Sequence, residues 1–77
     1  MPGQTTTLKL RVRDIPGVLV RIAHIFARRG INVRSLNVQP EADNTWSVMT
    51  IVIETTPRAQ ELIHQLEKLV DVDKVYY

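Results

Sequence analysis

Proline marks a change of hydrophobic repeat at two places in this chain. Before Pro16, apolar and basic residues alternate over residues 8–13, which is typical of a strand with one buried face. After Pro16, apolar residues recur every three or four positions, as they do in an amphipathic helix. A second helical pattern begins at Pro57. Because proline is well placed in the first turn of a helix, both positions predict a helix start.

Each predicted helix carries one apolar stripe. The first helix follows the turn at residues 14–17 and ends at Gly30, a residue type that readily adopts the left-handed conformation of a C-cap. The second begins with Thr56 as its N-cap and Pro57 as its first helical residue. The stripes consist of Val18, Leu19, Ile22, Ile25 and Phe26 in the first helix, and of Ala59, Leu62, Ile63, Leu66, Leu69 and Val70 in the second.

The remaining segments predict three further strands. Residues 31–38 and 72–77 are rich in β-branched and apolar residues, and residues 46–54 are apolar on both faces, as expected of a central strand. The element order is therefore βαββαβ. With short right-handed connections, it predicts an α+β, ferredoxin-like fold: a four-stranded antiparallel sheet of order 4-1-3-2 with both helices on one face.

Size and composition predict a single small domain. The chain has 77 residues, of which 1–5 are expected to form a disordered tail and 6–77 the domain. A core this small is thin, so an oligomeric interface is a reasonable expectation. The absence of cysteine excludes disulfides and thiolate metal sites. No apolar run approaches the roughly 18 residues that span a bilayer, which favours a cytoplasmic location.

Candidate catalytic residues are few. His24 and His64 lie on the polar faces of different predicted helices, with no cysteine or serine motif for them to serve. The acidic residues near 41–43 and 71–73 occupy loop or strand-edge positions suited to solubility rather than to acid–base catalysis. The sequence also lacks a phosphate-binding loop and a histidine cluster for metal binding. An enzyme is therefore disfavoured.

A nucleic-acid platform is one alternative. Lys9, Arg11 and Arg13 alternate along the first strand, and the formal net charge is +2. Ferredoxin-like domains that bind single-stranded RNA use aromatic rings on the two central strands for base stacking. Here the first strand has none, and the third has only Trp46 at its start. RNA binding therefore remains a weaker hypothesis.

The turn before the first helix is a candidate anion site. A helix start presents free N–H groups and partial positive charge, and Gly17 allows a ligand to approach the backbone closely. Asp14 and the amide of Asn32 have the chemistry to hold an ammonium group. The pair therefore suits the head group of an α-amino acid. Spacing alone leaves open that Asp14 merely caps the helix and that Asn32 merely satisfies a turn. Aliphatic residues near this turn and near Asn32 are Ile15, Val18, Leu19 and Val33.

At these residues the chain resembles the ACT domain and, more narrowly, the regulatory small subunit of acetolactate synthase, or acetohydroxyacid synthase. The resemblance covers about residues 8–76. Its motifs are Pro-Gly-Val-Leu from Pro16, then Phe-x-x-Arg-Gly-x-Asn-Val-x-Ser-Leu from Phe26, and Lys-Leu-Val-Asp-Val from Lys68.

The resemblance implies a noncatalytic subunit in branched-chain amino acid biosynthesis. Such a subunit binds and activates a catalytic subunit that carries thiamine diphosphate, FAD and magnesium, and makes it sensitive to valine or another branched-chain amino acid. It also implies a homodimer paired through the second strand. The effector lies between the first strand–helix turn of one chain and the start of the second strand of the other. By position, the effector-binding residues are Asp14, Ile15, Gly17 and Val18, with Ile31, Asn32 and Val33.

The chain departs from the family pattern in two ways. Many small subunits have Asn where this chain has Asp14, which leaves the identity of the effector open. Long forms of the family continue into a second domain, whereas this sequence ends at Tyr77, so it is a short form or a piece of a longer one. A freestanding ACT-domain amino-acid sensor with a different client is the main alternative.

Overall fold

The computed structural model describes residues 4–77, and it has the predicted βαββαβ order. The first strand includes Thr5, the last residue of the predicted tail, so it begins one residue earlier than expected; residues 1–3 of that tail lie outside the described residues. The elements are β1 (Thr5–Arg13), α1 (Val18–Arg28), β2 (Val33–Pro40), β3 (Trp46–Glu54), α2 (Ala59–Glu67) and β4 (Val72–Tyr76).

The four strands form one antiparallel sheet in the order β2-β3-β1-β4. This is the predicted order, counted from the opposite edge. The central pair β1 and β3 places Leu10 opposite Met49 and Leu8 opposite Ile51. Because side chains alternate along a strand, these residues all face the same side. Both helices bury most of their apolar stripes there. Within residues 4–77, no element covers the other side of the sheet, here called the open face.

The start and the end of α1 both depend on glycine. Gly17 occupies the N-cap position with φ +90°, and Gly30 follows the helix with φ +66°. After the last turn, the Gly30 N–H donates to the Ala27 carbonyl and the Ile31 N–H donates to the Phe26 carbonyl, both at 3.1 Å. These two bonds form a Schellman motif, and they satisfy carbonyls that would otherwise have no partner at the helix end. The predicted C-cap at Gly30 is confirmed.

The second helix is shorter than the sequence predicted. Pro57 and Arg58 form a turn, in which the Arg58 N–H donates to the Thr56 hydroxyl at 3.2 Å, and the helix proper begins at Ala59. The helix ends at Glu67, and Val70 is 87% exposed, so the prediction that Val70 belongs to the apolar stripe is wrong. The chain leaves the helix there because it must turn into β4, which pairs with β1.

The strand β2 lies at one edge of the sheet, and all eight of its residues are exposed. It begins at Val33 rather than at Ile31, because Ile31 still belongs to the Schellman motif that ends α1. Three aliphatic side chains, Val33, Leu36 and Val38, are 41–45% exposed along this edge. An apolar edge with unpaired backbone groups is a natural surface for strand pairing.

Neither helix within residues 4–77 has the length and hydrophobicity needed to cross a membrane.

Candidate functional site

The turn between β1 and α1 is open above Gly17. Apart from Gly17 itself and its two neighbours in the chain, no atom of the described residues would lie within 4 Å of a Cβ atom placed on Gly17. The Gly17 carbonyl accepts a hydrogen bond from the Arg21 N–H at 2.9 Å, and the Ile15 carbonyl accepts a longer one from the Val18 N–H at 3.4 Å. Asp14, Ile15 and Gly17 are all exposed. The predicted close approach to the backbone at Gly17 is therefore sterically possible.

Asp14 does not cap α1. Among residues 4–77, no side chain makes a capping hydrogen bond at the start of this helix, and its first turn contains no acidic residue. The hypothesis that Asp14 is a helix cap is therefore wrong. The positive end of the helix dipole has no compensating carboxylate in that turn, which favours an anion from solution. The Asp14 N–H donates to the Thr45 carbonyl at 3.0 Å, which ties the turn to the start of β3.

Asn32 lies just before β2, at the other end of the sheet. Its backbone carbonyl accepts a hydrogen bond from the Glu54 N–H at 3.0 Å, and the residue is exposed. Asn32 lines a shallow polar pocket of about 290 Å³, together with Gly30 and the half-buried Ile31. Within residues 4–77, Asn32 is held by its backbone carbonyl and its side-chain amide makes no hydrogen bond, so the amide is available to a ligand.

The two halves of the predicted site are far apart within one chain. The backbone of Asp14 is hydrogen-bonded to Thr45, and the backbone of Asn32 is hydrogen-bonded to Glu54. Glu54 lies nine positions after Thr45 along the same extended segment. At about 3.3 Å per residue, the separation along the strand is roughly 30 Å. One chain therefore cannot bring Asp14 and Asn32 to the same small ligand.

An apolar groove of about 270 Å³ runs between α1 and β2. Leu19, predicted to belong to the buried stripe of α1, lies at this groove and is 42% exposed. Val33 and Leu36 line the groove from the side of β2. Val18, by contrast, is 3% exposed and belongs to the hydrophobic core. Its side chain therefore packs in the core and is not exposed to a ligand.

The open face carries an ion cluster that the sequence analysis missed. Arg11 donates two hydrogen bonds to Glu41, each at 2.9 Å, and a third to Asp73 at 3.1 Å. The Arg11 hydrogen bond lowers the pKa of the Glu41 carboxyl, and the Glu41 hydrogen bond raises the pKa of Arg11 further above its usual range. A third acidic residue, Asp71, pairs with Arg21 at 2.7 Å. These carboxylates were predicted to serve solubility alone, and three of them have specific cationic partners.

Trp46 is also engaged by this cluster. Its ring centroid lies 4.6 Å from the guanidinium carbon of Arg11 and 5.7 Å from that of Arg13. A ring that already contacts two guanidinium groups is a poor platform for stacking a base. The arrangement therefore further disfavours the RNA hypothesis.

The residues considered for catalysis or metal binding stay apart. His24 is exposed on α1 and His64 is exposed on α2. Within residues 4–77, no group of three His, Cys, Asp or Glu side chains is arranged to hold a metal ion. The features that stand out are instead the two exposed half-sites and the apolar edge between them.

Comparison with known proteins decides the family. Residues 8–74 match the family of AHAS small subunit-like ACT domains. This chain belongs to that family. The ACT domain is 48% identical over 73 residues to the acetolactate synthase small subunit of Mycobacterium leprae, which covers 92% of the chain and 43% of the relative. It is 41% identical over 70 residues to a probable acetolactate synthase small subunit of Archaeoglobus fulgidus, covering 90% and 44% of the two proteins.

Solved structures agree with this assignment. The crystal structure of the acetolactate synthase small subunit from Thermotoga maritima superposes with a TM-score of 0.81 at 31% identity, covering 95% of this chain and 46% of that one. The ACT domain of GTP pyrophosphokinase from Chlorobium tepidum has a TM-score of 0.75 at 18% identity, which shows the shared fold alone. This ACT domain spans less than half the length of the small subunits it matches.

Proposed function

We propose that this ACT domain is a noncatalytic regulatory module of an acetolactate synthase. The catalytic subunit would carry thiamine diphosphate, FAD and magnesium. The ACT domain would activate it and confer feedback control by a branched-chain amino acid, of which valine is the first candidate. The names of the relatives and the match over residues 8–74 support this role. The cytoplasmic location stays a prediction.

The effector site would be completed by a second copy of the chain. In an antiparallel pair along β2, a two-fold axis near the middle of the strand reverses its direction. The Asn32 end of one chain would then lie beside the Pro40 end of its partner. That is the end of the sheet at which Asp14 and Gly17 follow β1. The separation of Asp14 from Asn32 within one chain is the observation that carries this proposal.

Each part of an amino acid would have a partner at such an interface. The carboxylate would accept hydrogen bonds from free N–H groups at the start of α1, where Gly17 leaves the backbone accessible. The ammonium would bind the Asp14 carboxylate and the amide oxygen of Asn32 from the other chain. An aliphatic side chain would pack against apolar residues at the interface between the two chains, namely the exposed Ile15, Leu19 and Val33 and the half-buried Ile31.

An amino-acid sensor with another client is the second candidate. The head-group contacts just described would suit any α-amino acid, so they do not select a pathway. The aliphatic character of the groove between α1 and β2 favours branched side chains, and therefore the first candidate.

Two measurements separate these candidates. Calorimetry with each of the twenty amino acids should show a preference for valine, leucine or isoleucine. Titration of the ACT domain into the purified catalytic subunit of the same organism should raise its activity, and valine should then reduce it. Amino-acid binding without any effect on the catalytic subunit would favour the sensor with another client. Absence of both effects would reject the regulatory proposal.

A further inference from the structure

Arg11 is the centre of the ion cluster on the open face. Its Nε and Nη2 atoms bond the two carboxylate oxygens of Glu41, each at 2.9 Å, and its Nη1 atom bonds Asp73 at 3.1 Å. The first two bonds form a bidentate pair, the most specific geometry open to an arginine and a carboxylate. The side chains of Arg11 and Glu41 are 31% and 35% exposed, so the pair is partly shielded from water.

Glu41 is the first residue after β2, and it organises the turn that leads into β3. Its N–H donates to the Trp46 carbonyl at 2.8 Å, and its own carbonyl accepts a hydrogen bond from the Asn44 N–H at 2.9 Å. Asn44 adopts a left-handed conformation, with φ +59°. The Thr45 N–H donates to the Asp43 carboxylate at 3.0 Å. The turn at 41–45 therefore has one conformation in which all these bonds are made.

The last residue of this turn contacts the predicted effector site. The Thr45 carbonyl accepts the hydrogen bond from the Asp14 N–H at 3.0 Å. A continuous series of contacts thus leads from Arg11, through Glu41 and the turn, to Asp14. Arg11 itself projects onto the open face, on the side of the sheet opposite the helices, so it is not placed to touch an effector held at the start of α1.

We propose that Arg11 is a positioning residue for the effector-binding turn: by holding Glu41, it holds Thr45 against Asp14. The role of that turn in effector binding rests on the proposed function. Without the side chain of Arg11, the turn at 41–45 keeps its internal hydrogen bonds, the bond from Glu41 to Trp46 and the bond between Asp14 and Thr45, but it loses its side-chain contact with β1. The bond between Asp14 and Thr45 would then open more often, and ligand binding would have to order the turn again, which lowers affinity.

The test compares two substitutions on the same strand and the same face. Arg11→Met removes the anchor. Lys9→Met removes a cation two residues away that has no acidic side chain within 4.0 Å among residues 4–77. Amide hydrogen exchange at Asp14, measured by NMR without ligand, should be faster in Arg11→Met by roughly three- to tenfold, the range expected for losing one such interaction. Lys9→Met should match the wild type. Exchange at buried Leu10, which reports global unfolding, should rise less in Arg11→Met than exchange at Asp14 does.

The double variant Arg11→Glu with Glu41→Arg provides a rescue, because an arginine at position 41 can pair with both position 11 and Asp73. It should restore most of the Asp14 protection that Glu41→Arg alone loses. Valine affinity, measured by calorimetry, should follow the same order, with Arg11→Met weaker by a similar factor.

Wild-type exchange at Asp14 in the Arg11→Met protein would overturn the inference. So would equal valine affinity in the Arg11→Met and Lys9→Met proteins. If the wild-type protein binds no amino acid, the proposed function fails, while the exchange measurement still decides whether Arg11 holds the turn.

Discussion

Asp14 and Asn32 are tied to opposite ends of the same strand. The Asp14 N–H bonds the carbonyl of Thr45, just before β3, and the Asn32 carbonyl accepts the N–H of Glu54, the last residue of β3. Each residue is exposed, and Asn32 stands between Ile31 and Val33, which both line the apolar groove between α1 and β2. If they act on one ligand, they do so from two chains.

Ligand binding and dimerisation should therefore be linked. We expect valine to strengthen self-association, because a site present only in the dimer stabilises the dimer by roughly 2.7 kcal/mol per site at a hundredfold excess over Kd. Sedimentation velocity over a range of protein concentrations, with and without valine, measures this shift. A chain that stays monomeric at every concentration with valine present would contradict the shared site.

Leu36→Lys should prevent pairing along β2. Leu36 lies near the middle of the strand and is 45% exposed, so the substitution costs the isolated chain little. In an antiparallel pair, two lysines would face each other close to the two-fold axis, which is unfavourable. We expect a monomer with normal thermal stability and no valine binding. Val20→Lys is the matched control. Val20 lies on α1 and is 60% exposed, so this substitution should leave self-association intact.

Gly17→Asp should abolish the response to the effector through charge repulsion. Space is available for a side chain, but the φ of +90° makes any non-glycine residue strained by about 1–2 kcal/mol. Gly17→Ala carries the same backbone strain without the carboxylate, so it separates the two effects. We expect Gly17→Ala to keep part of its valine affinity and Gly17→Asp to lose it, as measured by calorimetry. Retained valine binding in Gly17→Asp would place the ligand elsewhere.

Asn32→Ala should weaken valine binding by about 1–3 kcal/mol, the cost of leaving a buried charged group without a hydrogen bond. The fold should be unaffected, because Asn32 bonds Glu54 through its backbone carbonyl. Asn37→Ala, which lies within β2 on the open face, is the control and should bind valine normally. Equal affinity in the two variants would show that the Asn32 amide does not touch the ligand.

The ion pair of Arg11 with Glu41 should stabilise the fold least in acid. The hydrogen bond from Arg11 lowers the folded-state pKa of Glu41, so the pair contributes fully above the unfolded value of about 4.3 and is lost as the pH falls through the lower folded value. Urea unfolding of Glu41→Gln and of the wild type should therefore differ at pH 7 and converge toward pH 3. Glu67→Gln, at an exposed position of α2, should show no such convergence.

The strand and helix order followed from the sequence because each element has its own periodicity. Residues 46–54 are apolar on both faces, and they form β3 with the predicted bounds, between β2 and β1. Helix ends were less predictable where tertiary pairing decides them. Val70 fits the helical spacing, yet the chain must leave α2 before it so that Val72 can pair with Val12.

The site was predictable in part. Its backbone features, Gly17 and Gly30, were identified because a positive φ restricts the residue type. Arg11 and Glu41 were not paired, because they are 30 positions apart and only the turn after β2 brings them together. The predicted apolar stripe of α1 correctly includes Val18, which is buried, but the exposure of Leu19 was missed. Whether a residue at the edge of such a stripe is buried depends on what packs against it, and the sequence of the helix alone does not show that.

The two edges of the sheet differ in a way that bears on how far such a chain can assemble. The β2 edge is eight residues long, ends in Pro40 and carries a bulge between Val33 and Ser35, whereas the β4 edge has only five residues. Once two molecules pair through their β2 edges, only the β4 edges remain at the two ends of the combined sheet. Assembly would then stop at a dimer. The apolar β2 strand that favours association would no longer be free to pair with further chains and form fibres.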